Sequence, residues 1–194
     1  MIYLVRHGQT IWNIEGKRQG SLDSPLTLEG IDQAEQVATT LCKSIENIHT
    51  LKFFSSPLPR CKQFTSLICE HLSYPFGRVN FSENLAECNF GEWEGLSESE
   101  AKQNYPSVYK KRQTEKWKHI IPGGESYEDF YNRVKSFLLQ VETQNCVVVA
   151  HEGTSKMLRG IVEQKSYDEI LKSKHKQPDV YKIIGGDVEL LSLE

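Results

Sequence analysis

The chain has 194 residues, of which 38% are hydrophobic and 25% charged, with a formal net charge of −3. Such a chain can bury a sizeable core unaided and suits one α/β domain over residues 1–194. Its net acidity excludes a general nucleic-acid or anionic-membrane binder, so any anion site has to be local. The longest apolar runs, such as Ile2-Tyr3-Leu4-Val5 and Val147-Val148-Val149-Ala150, are far too short to cross a bilayer. The N-terminal residues enter such a run with no basic segment and h-region before it, so no secretory leader is expected. Five cysteines (Cys42, Cys61, Cys69, Cys88, Cys146) are odd in number and form no C-x-x-C pair. They read as free thiols of a reducing compartment, and a cytoplasmic location is expected.

Residues 2–6 form a short apolar run that stops at His7-Gly8, the pattern of a buried strand. Thr27 is a good N-cap for a helix over 28–46, in which Leu28, Ile31, Ala34, Ala38, Leu41 and Ile45 recur at helical spacing. A strand over 51–55 ends at Ser55-Ser56-Pro57, and a helix follows from about Pro59 to Leu72. Residues 79–82 read as a short strand. From Glu83 to Pro122 the chain is rich in charges and aromatics and carries no strong strand signal, and it reads as an excursion covering one end of the sheet. Ser126 and Asp129 form a capping box for a helix with Tyr127, Phe130, Val134, Phe137, Leu138 and Val141 on one face. Cys146–Ala150 is the strongest buried-strand signal. Gly153 and Thr154 open another helix, with Met157, Leu158, Ile161 and Val162. Val180 to Leu191 reads as a hairpin turning at Gly185-Gly186.

Strands alternating with helices predict an α/β fold, a mostly parallel central sheet with helices on both faces. In such sheets ligands bind beyond the carboxyl ends of the strands. Two histidines fall there: His7 after the first strand and His151 after Ala150. Each has a glycine close behind, Gly8 and Gly153, which permits close backbone approach to a ligand. Arg6 adjoins His7, and Arg60 follows the Ser55-Ser56-Pro57 strand end. Arginine offers a planar fork of donors suited to phosphate oxygens.

Arg6-His7-Gly8-Gln9-Thr10, followed by Trp12-Asn13 and Arg18-Gln19-Gly20, closely resembles the histidine phosphatase superfamily, also called the phosphoglycerate mutase-like family. The resemblance continues through Asp23-Ser24-Pro25-Leu26-Thr27, Gly30, Gln33-Ala34, and Ser55-Ser56-Pro57 with Arg60. It includes Leu85-Ala86-Glu87 with Phe90-Gly91-Glu92-Trp93-Glu94-Gly95, then Pro122-Gly123-Gly124-Glu125-Ser126, and ends at Ala150-His151. It implies a metal-independent phosphomonoesterase that needs no cofactor, with His7 as nucleophile and a transient phosphohistidine. Imidazole attacks only when neutral, and Arg6, Arg60 and His151 should keep its pKa from rising. Its other ring nitrogen needs pinning, by a backbone carbonyl near Gly8. Arg6, Arg60 and His151 would hold the phosphoryl oxygens, with Asn13, Gln19 and Gly20 completing the substrate-binding set. Glu87 would donate the proton to the leaving group and then activate water, and a pocket of Phe90 and Trp93 would favour its protonated form.

One departure stands out. Many family members have glycine directly after the second histidine, whereas this chain has Glu152, an acid beside an anion site. The phosphatase branch fits the compact chain better than a phosphoglycerate mutase or a non-catalytic phosphate- or phosphopeptide-binding module. The expected partner is a small-molecule phosphate monoester, with inorganic phosphate or other oxyanions as product or inhibitor. Trp93, Tyr105, Tyr109, Trp117 and His119 read either as the leaving-group wall or as core, which leaves open a broad specificity or a dedicated substrate such as α-ribazole phosphate or a phosphoglycerate.

Overall fold

The computed structural model describes residues 1–191. Six strands form one sheet: β1 (Ile2–Arg6), β2 (Lys52–Ser55), β3 (Asn80–Phe81), β4 (Cys146–Ala150), β5 (Val180–Ile184) and β6 (Asp187–Leu191), in the spatial order β3-β2-β4-β1-β5-β6. The β3-β2-β4-β1 part is parallel, and the β5–β6 hairpin adds antiparallel to β1. The hairpin turns at Gly185-Gly186, as its sequence predicts, with Ile184 opposite Asp187.

Helices cover both faces, which explains why the central strands are apolar without alternation. Tyr3, Val5, Phe53, Val147 and Val149 pack with α2 (Leu28–Ser44) and α3 (Pro59–His71) through Val37, Leu41, Phe64 and Ile68. The alternate residues Ile2, Leu4, Phe54, Val148 and Ala150 meet Phe130, Val134 and Phe137 of α6 (Tyr127–Val141), Met157 and Leu158 of α7 (Glu152–Val162), and Ile170 of α8 (Tyr167–Lys172). A strand of period two thus feeds one core on each side of the sheet.

Local chemistry sets the element ends. Thr27 Oγ1 accepts from the Gly30 N–H at 3.0 Å and starts α2. Pro59, at the first turn of α3, needs no donor there. Ser126 Oγ accepts from the Asp129 N–H, but the return bond differs from a full capping box. The hydroxyl itself meets Asp129 Oδ2 at 2.6 Å, because aspartate is one methylene too short to reach back to the backbone as glutamate does.

Several elements depart from expectation. The third strand shrinks to two residues. Segment 83–122 holds two 3₁₀ turns and two short helices, α4 (Glu98–Asn104) and α5 (Pro106–Thr114), and α1 (Ile11–Ile14) precedes α2. Trp93 is buried in a small satellite core with Ala101 and Ile121, stacked near Tyr109 with ring centroids 5.8 Å apart. Trp117 stacks on Tyr167 at 3.9 Å. Four of the five cysteines are buried and all are free, and burial pushes the Cys61 and Cys146 thiols up to about 12.

Candidate active site

β1 and β4 lie side by side in parallel register, Arg6 opposite Ala150, so the residues that follow them meet at the same edge. The His7 N–H continues the ladder to the Ala150 carbonyl at 2.9 Å, and the Ser56 N–H does the same from β2 to Val149 at 3.0 Å. Strand pairing therefore delivers His7, His151 and Ser56 to one place. Gly8 lets the chain turn away at once. A Cβ there would sit 2.3 Å from the Gly30 carbonyl oxygen, so the turn after His7 crosses α2 with backbone against backbone.

His7 is 3% exposed. Its Nδ1 lies 2.8 Å from the Gly8 carbonyl oxygen. A carbonyl only accepts, so Nδ1 carries the hydrogen and Nε2 keeps its lone pair. The imidazole is held well below its usual range, first by burial, then by the Arg60 and Arg6 charges, while the Gly8 bond opposes them. It is a neutral ring with one nitrogen pinned and the other free to attack.

Arg60 is buried and Arg6 mostly so, and backbone carbonyls aim both. Arg60, on the first turn of α3, donates Nη1 to the Leu22 carbonyl at 2.7 Å and Nη2 to the Gly20 carbonyl at 2.8 Å, and pairs with Asp23 at 3.1 Å. Arg6 donates Nη1 to the His175 carbonyl at 2.7 Å and pairs with Glu152 at 3.0 Å. In both, Nε is buried without a hydrogen-bond partner. Two guanidinium donors left unmet beside a neutral imidazole suit a phosphoryl group, whose oxygens accept.

Glu152 turns toward the site. It ties Arg6 to Lys156, which it meets at 2.8 Å one turn along α7. Burial would raise its carboxyl, but Arg6 and then Lys156 outweigh that and hold it below the usual range. Glu87 enters from the 83–122 segment. Its Oε1 accepts from the Cys88 N–H at 2.9 Å and its Oε2 from the Gly153 N–H in the first turn of α7 at 3.0 Å. Each oxygen keeps a second lone pair, enough to carry or collect a proton.

A pocket of about 420 Å³ collects these groups. Of the residues singled out in the sequence, Arg6, His7, Asn13, Gln19, Gly20, Arg60 and Glu87 line it. His151 does not. It lies fully buried with its ring edge-on to His7 at 5.2 Å between centroids, and its Nε2 meets Ser56 Oγ at 2.7 Å. Burial first, then Arg60 and His7, lower its pKa well below the usual range. Of the aromatics weighed for the leaving-group wall, Trp93, Tyr105, Tyr109, Trp117 and His119 stay out, and Phe90 and Tyr127 take that place. Lys17, Arg18, Lys116 and Lys156 also line the pocket, so six cations face it together with the carboxylates of Glu87, Glu98 and Glu152, in a chain of net charge −3. Lys17 and Arg18 adjoin Gln19 and were within reach of a sequence reading. Lys116 and Lys156 gave no such signal.

The family model described as the histidine phosphatase superfamily (branch 1) matches residues 2–188. Phosphoserine phosphatase 1 of Hydrogenobacter thermophilus is 34% identical over 154 residues, covering 77% of this chain and 70% of that protein. The human 6-phosphofructo-2-kinase/fructose-2,6-bisphosphatase 1 is 31% identical over 170 residues, 87% of this chain, which spans about a third (34%) of that longer protein. The crystal structure of the alpha-ribazole phosphatase from Shigella flexneri shares the fold with a TM-score of 0.84 at 24% identity, over 99% of this chain and 96% of that one. The chain belongs to the histidine phosphatase superfamily, branch 1, and is a phosphatase.

Proposed function

We propose that the chain hydrolyses small phosphate monoesters in two steps through a phosphohistidine on His7, without a metal ion. The observation that carries this reading is the setting of His7: Nδ1 bound to the Gly8 carbonyl, Nε2 left with its lone pair, burial holding the ring's pKa well below its usual range, and two arginines nearby with buried, unmet Nε donors. In the first step Nε2 attacks phosphorus, the bond to the leaving oxygen breaks, and protonated Glu87 gives that oxygen its proton. In the second, the Glu87 carboxylate takes a proton from water. The water oxygen attacks phosphorus, the P–N bond breaks, and inorganic phosphate leaves with the Nε2 lone pair restored. Arg6 and Arg60 supply the positive charge that a metal supplies in other phosphohydrolases. Of the further cations, Lys17, Arg18 and Lys156 each pair with a carboxylate, and Lys116 beside them favours a leaving group that itself carries an anion, of the class that a phosphoserine phosphatase accepts.

The test is direct. His7→Ala abolishes release of phosphate from para-nitrophenyl phosphate in EDTA, and wild-type enzyme quenched in turnover carries acid-labile, base-stable ³²P that the variant lacks. A tenth of the activity surviving in the variant overturns the nucleophile. Glu87→Gln loses far more activity on alkyl phosphates than on para-nitrophenyl phosphate, whose leaving group needs little protonation. Equal losses on both remove Glu87 as the acid. Isomerisation of 3-phosphoglycerate with little phosphate release identifies a mutase instead.

A further inference from the structure

The segment 173–179, between α8 and β5, touches the site at three points that the two-step reaction does not use. The His175 carbonyl accepts from Arg6 Nη1 at 2.7 Å. Gln177 Nε2 lies 2.6 Å from the His7 carbonyl oxygen and 3.4 Å from Asn13 Oδ1. The segment is itself anchored. His175 is fully buried, with Nε2 donating to the Asp179 carbonyl at 2.9 Å and Nδ1 accepting from Ser155 Oγ of α7 at 2.6 Å, and Arg159 Nη2 donates to the Lys174 carbonyl at 2.7 Å.

Hydrogen-bond chemistry fixes both amides. Asn13 faces the Thr10 N–H at 3.1 Å, and that group only donates, so the facing atom is the Asn13 oxygen. Its NH₂ end is then the end left for the pocket that Asn13 lines. Gln177 faces the His7 carbonyl, which only accepts, so its facing atom is the nitrogen. A single NH₂ group thus bridges two acceptors, one on the nucleophile's own residue and one on a neighbour that presents a donor to an anion.

We propose that Gln177 is a positioning residue: it clamps the His7 backbone to the Asn13 amide, fixing the spacing between the attacking nitrogen and a phosphoryl donor. It touches neither substrate nor the reacting atoms. Segment 173–179 is therefore a brace behind the site as well as a connection to β5. The clamp rests on the phosphohistidine reading for its effect on turnover. Its effect on phosphate binding is independent of that reading.

The experiment compares wild type, Gln177→Ala, Gln177→Glu, Asn13→Ala and the Gln177→Ala/Asn13→Ala double variant. It measures kcat/KM on para-nitrophenyl phosphate and the affinity for inorganic phosphate by titration calorimetry. Loss of the clamp lowers kcat/KM by about tenfold, as small misplacements of reacting groups do, and weakens phosphate. The double variant is little worse than Asn13→Ala alone. Gln177→Glu keeps the shape but sets an acceptor against two acceptors, so it is worse than alanine. It recovers toward wild type as the pH falls through the carboxylate range, because a protonated carboxyl can donate. A loss of packing alone gives neither that ranking nor that pH profile. Alanine and glutamate variants both within twofold of wild type overturn the clamp, as do additive losses in the double variant. Failure of the phosphohistidine reading shows separately, as turnover retained by His7→Ala.

Discussion

Glu152 bears directly on how the anion site is tuned. The acid directly follows the second histidine, and its carboxylate occupies part of the Arg6 guanidinium that the proposed mechanism assigns to a phosphoryl group. Phosphate has to compete with an internal anion for that charge. Both partners are partly exposed, with side chains 13% and 29% accessible, so the competition is modest, on the order of the ~0.2–1 kcal/mol typical of such pairs. Glu152→Gln should therefore bind inorganic phosphate about threefold more tightly, roughly 0.6 kcal/mol, measured as competitive inhibition of para-nitrophenyl phosphate hydrolysis. Unchanged or weaker binding means that the carboxylate orients Arg6 more than it competes for it. The sequence made Arg6, His7 and Arg60 legible because polar residues that interrupt apolar strand ends have few other reasons to be there. It left the direction of Glu152 open, because Arg6 on β1 and Lys156 one turn along α7 decide it together. His151 was legible as a neighbour of His7. Its bond to the Ser56 hydroxyl was not, since that partner lies 95 residues away in the chain.

At the scale of elements, two helices hold Glu87 in place. Arg133 of α6 donates Nη1 to the Asn84 and Ala86 carbonyls at 3.1 and 2.8 Å and Nη2 to the Glu87 carbonyl at 2.9 Å, while Glu125 braces its other side at 2.8 Å. The first turn of α7 then receives the Glu87 carboxylate, a favourable place for an anion near unmet backbone N–H groups. Gly153 makes the contact possible, because a Cβ there would come within 2.2 Å of Glu87 Oε1. Gly153→Ala should cut kcat on an alkyl phosphate by roughly 10- to 100-fold by pushing the acid aside. Alanine is the better helix former by roughly 1 kcal/mol, so the melting temperature should hardly fall. The loss should be smaller on para-nitrophenyl phosphate; equal losses on both substrates mean that the variant disturbs something other than proton donation. Long elements were legible because two-residue and 3.6-residue periods persist along them: β1, β2, β4, α2, α3, α6, α7 and the hairpin all lie within a few residues of expectation. The short helices α1, α4, α5 and α8 were not, since four to nine residues show too few turns for a period and rest on caps and tertiary contacts. Segment 173–179 carried no signal at all. Its work is done by a carbonyl, an amide and a buried imidazole whose partners are distant in sequence.

Over the whole molecule, three histidines are buried as neutral rings: His7, His151 and His175. Burial is the leading cause in each, and it pushes His175 down to about 3 despite its bond to the Asp179 carbonyl. This couples the chemistry of the site to the stability of the fold. In the unfolded chain each ring protonates near pH 6.5, whereas in the folded protein it stays neutral until far lower pH. Below pH 6.5 the unfolded state therefore binds more protons than the native state, and stability must fall as the pH drops. It is fully present above pH 6.5 and is lost down toward the folded-state values. Between pH 6.5 and 5.5 each ring removes about 1 kcal/mol and the three together about 3 kcal/mol, before most carboxylates begin to titrate. Urea melts at pH 7.5, 6.5 and 5.5 should show the midpoint moving steadily down, with little change in slope. His175→Asn should flatten that dependence by about one third, because it removes one titrating ring and no reacting group. A pH-independent midpoint over this range means that the rings take up protons in the native state as readily as in the unfolded chain, so that His7 would lose the lone pair its attack requires as the pH falls through 6.5. The acid limit of the fold and the availability of the nucleophile thus rest on the same condition: imidazoles kept neutral by burial at the ends of β1 and β4 and in the segment that leads into β5.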